Sequence, residues 1–187
     1  MNNEKEKVVE ISSYKLECPI CKQELDVKDY KYNIPHYGDI LITSGKCRNC
    51  QYTLRDVMVL TEREPRKIIY RVEDSRDMNA LVVKSSSCII TIPELDVEIK
   101  PGLYSQGYIT TIEGVIVDLM EILDKMCSEE GVNKENCEKT RILLEKAKKA
   151  EISYTIIIHD HMGICDIISS YKKPIYEKID KVSYDSQ

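Results

Sequence analysis

The sequence predicts an α+β fold that is mainly β, with one α-helical hairpin inserted among the strands and a small cysteine-rich ribbon ahead of them. Three observations carry that expectation. Apolar residues recur with a period near two over most of the chain and with helical spacing in one block after Thr110. Ile and Val number 38 against 12 Leu, a bias toward pleated strands. Two Cys-x-x-Cys pairs, at Cys18 and Cys21 and at Cys47 and Cys50, stand near the N-terminus with 25 residues between them.

A chain of 187 residues buries roughly 70% of its unfolded surface and folds without disulfide staples. Its 12 Tyr carry all the aromatic packing, because Trp and Phe are absent. A formal net charge of -5 argues against a general nucleic-acid binder, which needs a cationic face. The first residues, Met-Asn-Asn-Glu-Lys-Glu-Lys, hold no apolar core of a secretory signal. No apolar run approaches the ~20 residues of a membrane helix, so the chain reads as cytoplasmic. In that reducing compartment, eight cysteines point to metal or free thiols rather than disulfides.

The elements follow in order. Residues 1–13 read as a charged, flexible lead-in, and 14–55 as the ribbon that contains both cysteine pairs. Between the pairs, Ile40 and Ile42 alternate with Asp39, Leu41 and Thr43, and Pro35 ends an extended piece at Ile34. A β-domain is expected over 56–170. In it Ile68, Tyr70 and Val72 alternate with Lys67, Arg71 and Glu73, then Leu95, Val97 and Ile99 with acidic neighbours, until Pro101-Gly102 turns the chain. Thr110-x-x-Glu113 has the form of a capping box, which starts a helix carrying Val115, Ile116, Leu119, Ile122, Leu123 and Met126 on one stripe. Gly131 stops it and Asn133 caps a second helix, giving an antiparallel hairpin at about 111–150. Strand character returns at Tyr154 to Ile158 and, after a turn at Asp160 to Gly163, through Ile168; residues 171–187 form a polar tail.

The paired cysteines carry the chemistry. A Cys-x-x-Cys knuckle turns both sulfurs inward, and two knuckles make a closed tetrahedral site that holds one structural zinc and leaves no position for a substrate. A redox dithiol leaves the second pair unexplained and wants a βαβ context that is missing; rubredoxin-type iron fits the spacing but has no other redox feature beside it. Residues 18–50 carry five Lys or Arg against four Asp or Glu, a balance that suits protein contact better than nucleic acid.

Several further motifs, in order, make a resemblance. Cys18-Pro19-Ile20-Cys21, Ile34-Pro35-His36-Tyr37 and Cys47-Arg48-Asn49-Cys50-Gln51-Tyr52 resemble the zinc finger of the ZPR-type family. Val83-Lys84-Ser85, then Ile92-Pro93-Glu94-Leu95-Asp96-Val97-Glu98-Ile99, resembles the start of its signature domain, and Thr110-Thr111-Ile112-Glu113-Gly114 is similar to its Thr-Val-Glu-Gly element. The likeness covers roughly residues 14–170 and implies a translation-factor-like zinc ribbon followed by a double-stranded β-helix with a helical hairpin inserted. It also implies a non-enzymatic role: eukaryotic members carry two such modules and bind translation elongation factor 1-alpha, assisting its maturation, and this chain carries one module, as archaeal members do. It departs from the family pattern at Gln51, where a glycine usually follows the knuckle, and at Asp160 to Cys165, where the family has a more polar turn.

Lys84, Glu94 and Glu113 lie inside these motifs and are the candidates for partner contact; a solvated strand edge accounts equally for Lys84, and helix capping for Glu113. His159-Asp160-His161 is the rival signal. Imidazoles at i and i+2 of a strand can share a metal, as in cupin-like metalloenzymes, but no third histidine follows and the turn at Asp160 breaks the shared face. An RNA-binding ribbon is the other alternative, disfavoured by the charge balance. Cys88, Cys127, Cys137 and Cys165 lack ligand spacing and are expected as small buried apolar groups. The run Lys146 to Glu151 reads as a wet helix face, and no phosphate-binding loop or Gly-x-Ser-x-Gly elbow is present.

Overall fold

A computed structural model describes residues 8–34, 38–60, 63–102 and 105–179. Pro35, His36 and Tyr37 of the expected finger motif, the first seven residues and the last eight lie outside the described residues.

Four strands form the first sheet as a meander: β1 (Val9–Glu17), β2 (Glu24–Ile34), β3 (Gly38–Cys47) and β4 (Thr53–Val59), in that spatial order. Residues 9–13, expected as lead-in, are therefore strand, paired with β2 from Val9↔Lys31 to Glu17↔Glu24. The register shifts between Glu10 and Ser12. That bulge breaks the period-two pattern by which a strand is recognised.

The two faces of this sheet serve different neighbours. Leu25 and Val27 on β2 pair with Cys47 and Gly45 on β3, and with Tyr52 and Leu54 they form a small core against Cys18. On the opposite face, Tyr32 and Ile34, Ile40 and Ile42, and Val57 and Val59 form a second cluster with Val83, Ile109 and Ile168. One face thus closes on the knuckles while the other docks onto the rest of the molecule.

The remainder is a two-sheet sandwich. Five strands, β5 (Arg66–Val72), β7 (Ile89–Ile92), β8 (Val97–Ile99), β10 (Tyr154–Asp160) and β12 (Ile175–Lys178), are arranged as β12-β5-β10-β7-β8. Three more, β6 (Leu81–Lys84), β9 (Tyr108–Thr111) and β11 (Asp166–Ile168), are arranged as β11-β6-β9. Every pairing is antiparallel. Tyr154, Ile156 and Ile158 pair with Val72, Tyr70 and Ile68, and this inward face meets Val82 and Ile167 of the other sheet in the main core. Val83 points the other way, into the ribbon cluster, so the three-stranded sheet is covered on both faces. The expected double-stranded β-helix, or jelly roll, is present.

Part of the expected polar tail is strand, for β12 pairs with β5 from Ile175↔Ile69 to Lys178↔Arg66. All four of its residues are exposed, which removes the apolar alternation that marks a strand. It is fastened by side chains instead: the Arg66 guanidinium lies 4.5 Å from the Tyr176 ring centroid, and the Tyr176 hydroxyl donates to Asp166 at 3.0 Å.

The hairpin consists of α1 (Ile112–Ser128) and α2 (Lys134–Lys148). Its cap differs from the expected box. Thr110 and Thr111 both end the β6–β9 ladder, opposite Val82 and Leu81, and the cap is Thr111, whose Oγ1 accepts from the Gly114 N–H at 3.1 Å. Glu113 then falls one position early for the reciprocal bond and is exposed. The buried stripe is Ile112, Val115, Ile116, Leu119 and Cys127, leaving Ile122 and Met126 47% and 58% exposed. Asn133 caps α2 as expected, with Oδ1 accepting from Glu135 at 2.9 Å and Asn136 at 3.2 Å.

The seam between ribbon and jelly roll follows β4. Asp56 accepts from the Ser86 N–H and hydroxyl, both at 2.9 Å, while Val59 N–H donates to Ile164 O at 3.1 Å and Gly107 N–H to Arg55 O at 3.0 Å. Glycine is required at two places along it. A Cβ at Gly107 would collide with Asp56, and one at Gly163, where φ is +70°, with the Arg63 carbonyl.

Candidate metal centre

The first knuckle leaves β1 at Cys18 and returns to β2; the second joins β3 to β4. They are built alike. Cys18 N–H donates to Gln23 O at 2.7 Å and Lys22 N–H to Cys18 O at 2.9 Å; the counterparts are Cys47 N–H to Tyr52 O at 2.8 Å and Gln51 N–H to Cys47 O at 3.0 Å. Each knuckle closes on a left-handed residue, Lys22 at φ 61° and Gln51 at φ 62°. The glycine that Gln51 replaces would adopt that conformation freely, so the departure costs about 1 kcal/mol without changing the path of the chain.

The four sulfurs converge. Cys18 and Cys50 stand 3.6 Å apart and Cys21 and Cys47 3.5 Å apart, with all four donor atoms within 4.8 Å of one another. Thiolates around a tetrahedral zinc at ~2.3 Å lie about 3.8 Å apart along each edge, so the cage has the right size. Cys18 and Cys47 are fully buried against Leu25 and Val27, Cys21 is partly covered, and Cys50 is exposed at the rim.

The electrostatics fit a cation as well. The Asn49 side chain and the Gln23 backbone draw the Cys21 thiol down to about 6. Cys50 accepts from the Tyr52 N–H, which favours its thiolate, but desolvation and the three neighbouring sulfurs push it up to about 12. Four sulfurs this close cannot all ionise on their own, and a divalent ion is the group that lets them. The chemistry it supplies is structural, because four thiolates fill a tetrahedral shell.

The other candidates are scattered. Lys84 is 2% exposed, not a solvated edge: its ammonium donates to Ser85 O at 3.1 Å and lies 5.6 Å from the Tyr108 ring centroid, and burial lowers its pKa while Asp56 opposes that. Lys84 therefore offers almost no surface in this state. Glu94 sits in the 3-10 turn before β8, where its carboxylate accepts from the Thr155 N–H and hydroxyl at 2.9 Å and pairs with Arg71. Glu94 and Glu113 are both exposed, Glu94 engaged with Thr155 and Arg71 and Glu113 in the first turn of α1.

His159 lies on β10 with Nε2 3.4 Å from Thr91 Oγ1, whereas His161 is in the following turn with a buried Nδ1 that has no hydrogen-bond partner. Asp160 between them faces the interior and accepts from the Ile164 and Cys165 N–H groups at 3.0 and 2.9 Å. Among the described residues, the groups whose ligand atoms converge are the four knuckle cysteines and the trio Cys88, Asp160 and Cys165; neither includes a histidine.

The remaining cysteines correct the expectation of free apolar thiols. Cys88 is disulfide-bonded to Cys165 and Cys127 to Cys137. Separations of 77 and 10 residues carry no motif, and the one available signal was parity: four cysteines remain once the zinc set is removed.

Comparison with known proteins matches this architecture part by part. The family model described as the ZPR1 zinc-finger domain matches residues 10–63, and that of the ZPR1 jelly-roll domain residues 76–187. A ZPR1-like protein of Methanocaldococcus jannaschii is 37% identical over 158 residues, 82% of this chain and 80% of its own. A ZPR1-like protein of Pyrococcus horikoshii is 32% identical over 177 residues, covering 89% of this chain and 79% of its own. The zinc finger chaperone zpr1 of Schizosaccharomyces pombe is 29% identical over 165 residues, 82% of this chain but 35% of its own length.

Proposed function

This chain belongs to the ZPR1 zinc-finger family, and on that premise we propose that it is a non-enzymatic cytoplasmic protein that binds translation elongation factor 1-alpha as a folding or assembly factor. The observation that carries the reading is the closed cage. Four convergent sulfurs, two of them fully buried, suit one structural zinc and offer no coordination position to a substrate.

The surface supports a protein client. The β1 flank and first knuckle expose Val8, Val9, Ile11, Tyr14, Leu16 and Ile20 in succession. A factor still completing its fold presents apolar surface, which such a strip can cover. The fission yeast relative, named a zinc finger chaperone, supports the same role, and the identity of the client rests on the family resemblance. Of the three motif charges, Glu94 and Glu113 are exposed and can meet it.

Co-purification of the chain with elongation factor 1-alpha, with and without nucleotide and at low and moderate salt, tests the proposal. Association is expected to favour the nascent or nucleotide-free factor and to tolerate salt. No association under any condition, or a steeply salt-dependent preference for RNA, would overturn it. A second metal lost with His161→Ala would move the reading to a cupin-like enzyme.

A further inference from the structure

The Cys88–Cys165 disulfide joins the two loops that grip the zinc ribbon. On one side, the Ser85 to Cys88 turn presents the Ser86 N–H and hydroxyl to Asp56 on β4, both at 2.9 Å. On the other, the turn after β10 presents Ile164 O to the Val59 N–H at 3.1 Å. Its loop is shaped by Asp160, which holds Ile164 and Cys165, and by Arg66, which donates to Cys165 O at 3.0 Å. Both sulfurs are fully buried, and Ser85 N–H lies 3.2 Å from Cys165 Sγ. Cys88 and Cys165 are disulfide-bonded to each other, and the four knuckle sulfurs converge separately as the metal set.

We propose that Cys88–Cys165 is an oxidative clamp that fixes both loops on β4 and so holds the zinc ribbon against the jelly roll. Closing it takes two electrons and two protons from the thiols. A low-molecular-weight disulfide accepts them and leaves as two thiols; a thiol reductant reverses the exchange. Burial makes the clamp resistant in the folded state, so it closes during folding and opens only when the loops part. Opening it loosens the seam but leaves the zinc cage intact, because Cys18, Cys21, Cys47 and Cys50 lie on the other face of the ribbon sheet. The Cys127–Cys137 bond, which joins α1 to α2 in the helical hairpin, is the internal control.

The test begins with protein purified without reductant, denatured in chelator and alkylated. Four of its eight cysteines are expected to react, with peptide mapping linking Cys88 to Cys165. Amide exchange of β4 and of residues 85–88 is then followed in the full-length chain. Reduction, or the double change Cys88→Ser and Cys165→Ser, is expected to speed exchange at Val59 about tenfold or more without loss of zinc. Cys127→Ser with Cys137→Ser should leave those amides within twofold. Reaction of Cys88 and Cys165 without reductant, unchanged exchange at β4 after reduction, or a second metal held by Cys88, Asp160 and Cys165 would each overturn the clamp.

Discussion

Replacing Cys47 with serine should dissolve one end of the ribbon and spare the other. The magnitude follows from the small core behind the knuckles. Its fully buried aliphatic side chains are Leu25 and Val27, which contribute about 3–6 kcal/mol together. Ordering the two knuckles, Cys18 to Gln23 and Cys47 to Tyr52, costs about 12–24 kcal/mol of backbone entropy. A four-thiolate zinc contributes about 10–16 kcal/mol and brings the sum close to balance. Without it the knuckle end falls short by about 10 kcal/mol and disorders. The far end is held independently, because Ile34, Ile40, Val57 and Val59 pack on Val83. Zinc analysis of Cys47→Ser combined with hydrogen exchange reads both ends at once. Zinc should be lost, Leu25 and Leu54 should exchange freely, and Ile40 and Val57 should stay protected. Loss of protection at both ends, or a knuckle still ordered without metal, would refute the reasoning.

Lys84→Glu should cost at least about 3 kcal/mol in urea unfolding, since it buries a carboxylate facing Asp56, while Lys84→Met should cost less than about 1.5 kcal/mol. A stable Lys84→Glu protein that merely binds its partner less well would return Lys84 to the surface. Burial raises the Asp77 pKa, yet bonds from the Glu73 N–H, Lys172 and the Tyr70 hydroxyl hold it below its ordinary 3.8. Its contribution is therefore present above pH ~4 and fades as pH falls through the lower folded value, so Asp77→Asn should lose about 1–3 kcal/mol at neutral pH and flatten the acid limb of a stability–pH curve. Gln51→Gly should stabilise the second knuckle by about 0.5–1 kcal/mol, read as slower zinc release to a chelator, because φ 62° suits glycine better. Faster release would mean that the Gln51 side-chain bond to Arg48 O, at 3.0 Å, outweighs the strain.

Local chemistry was legible in the sequence, and long-range packing was not. Two Cys-x-x-Cys knuckles announce a cage because the ligand geometry is set within four residues. Strands β5 and β10 alternate cleanly because only one face of each is buried. Strand β1 escaped notice because it is an edge strand exposed along nearly its whole length, and β12 because it is held by Arg66 and Asp166 rather than by an apolar face. The helix cap lies one residue later than the capping box predicts, because the hydroxyl that meets the Gly114 N–H is that of Thr111. Which of two adjacent threonines caps is set by where the strand turns into the helix. Lys84 looked like a surface charge, but the ribbon docks beside it, and that docking is a property of the whole fold. The same holds for Cys88 and Cys165, brought together across 77 residues by the return of the chain to a neighbouring strand.

X-ray absorption at the metal edge of the intact protein addresses the closed cage most directly, with the metal content of the same sample measured alongside. One zinc per chain is expected, surrounded by four sulfurs at ~2.3 Å. Iron at the site, an oxygen or nitrogen ligand in the zinc shell, or fewer than four sulfurs would contradict a purely structural centre built from Cys18, Cys21, Cys47 and Cys50.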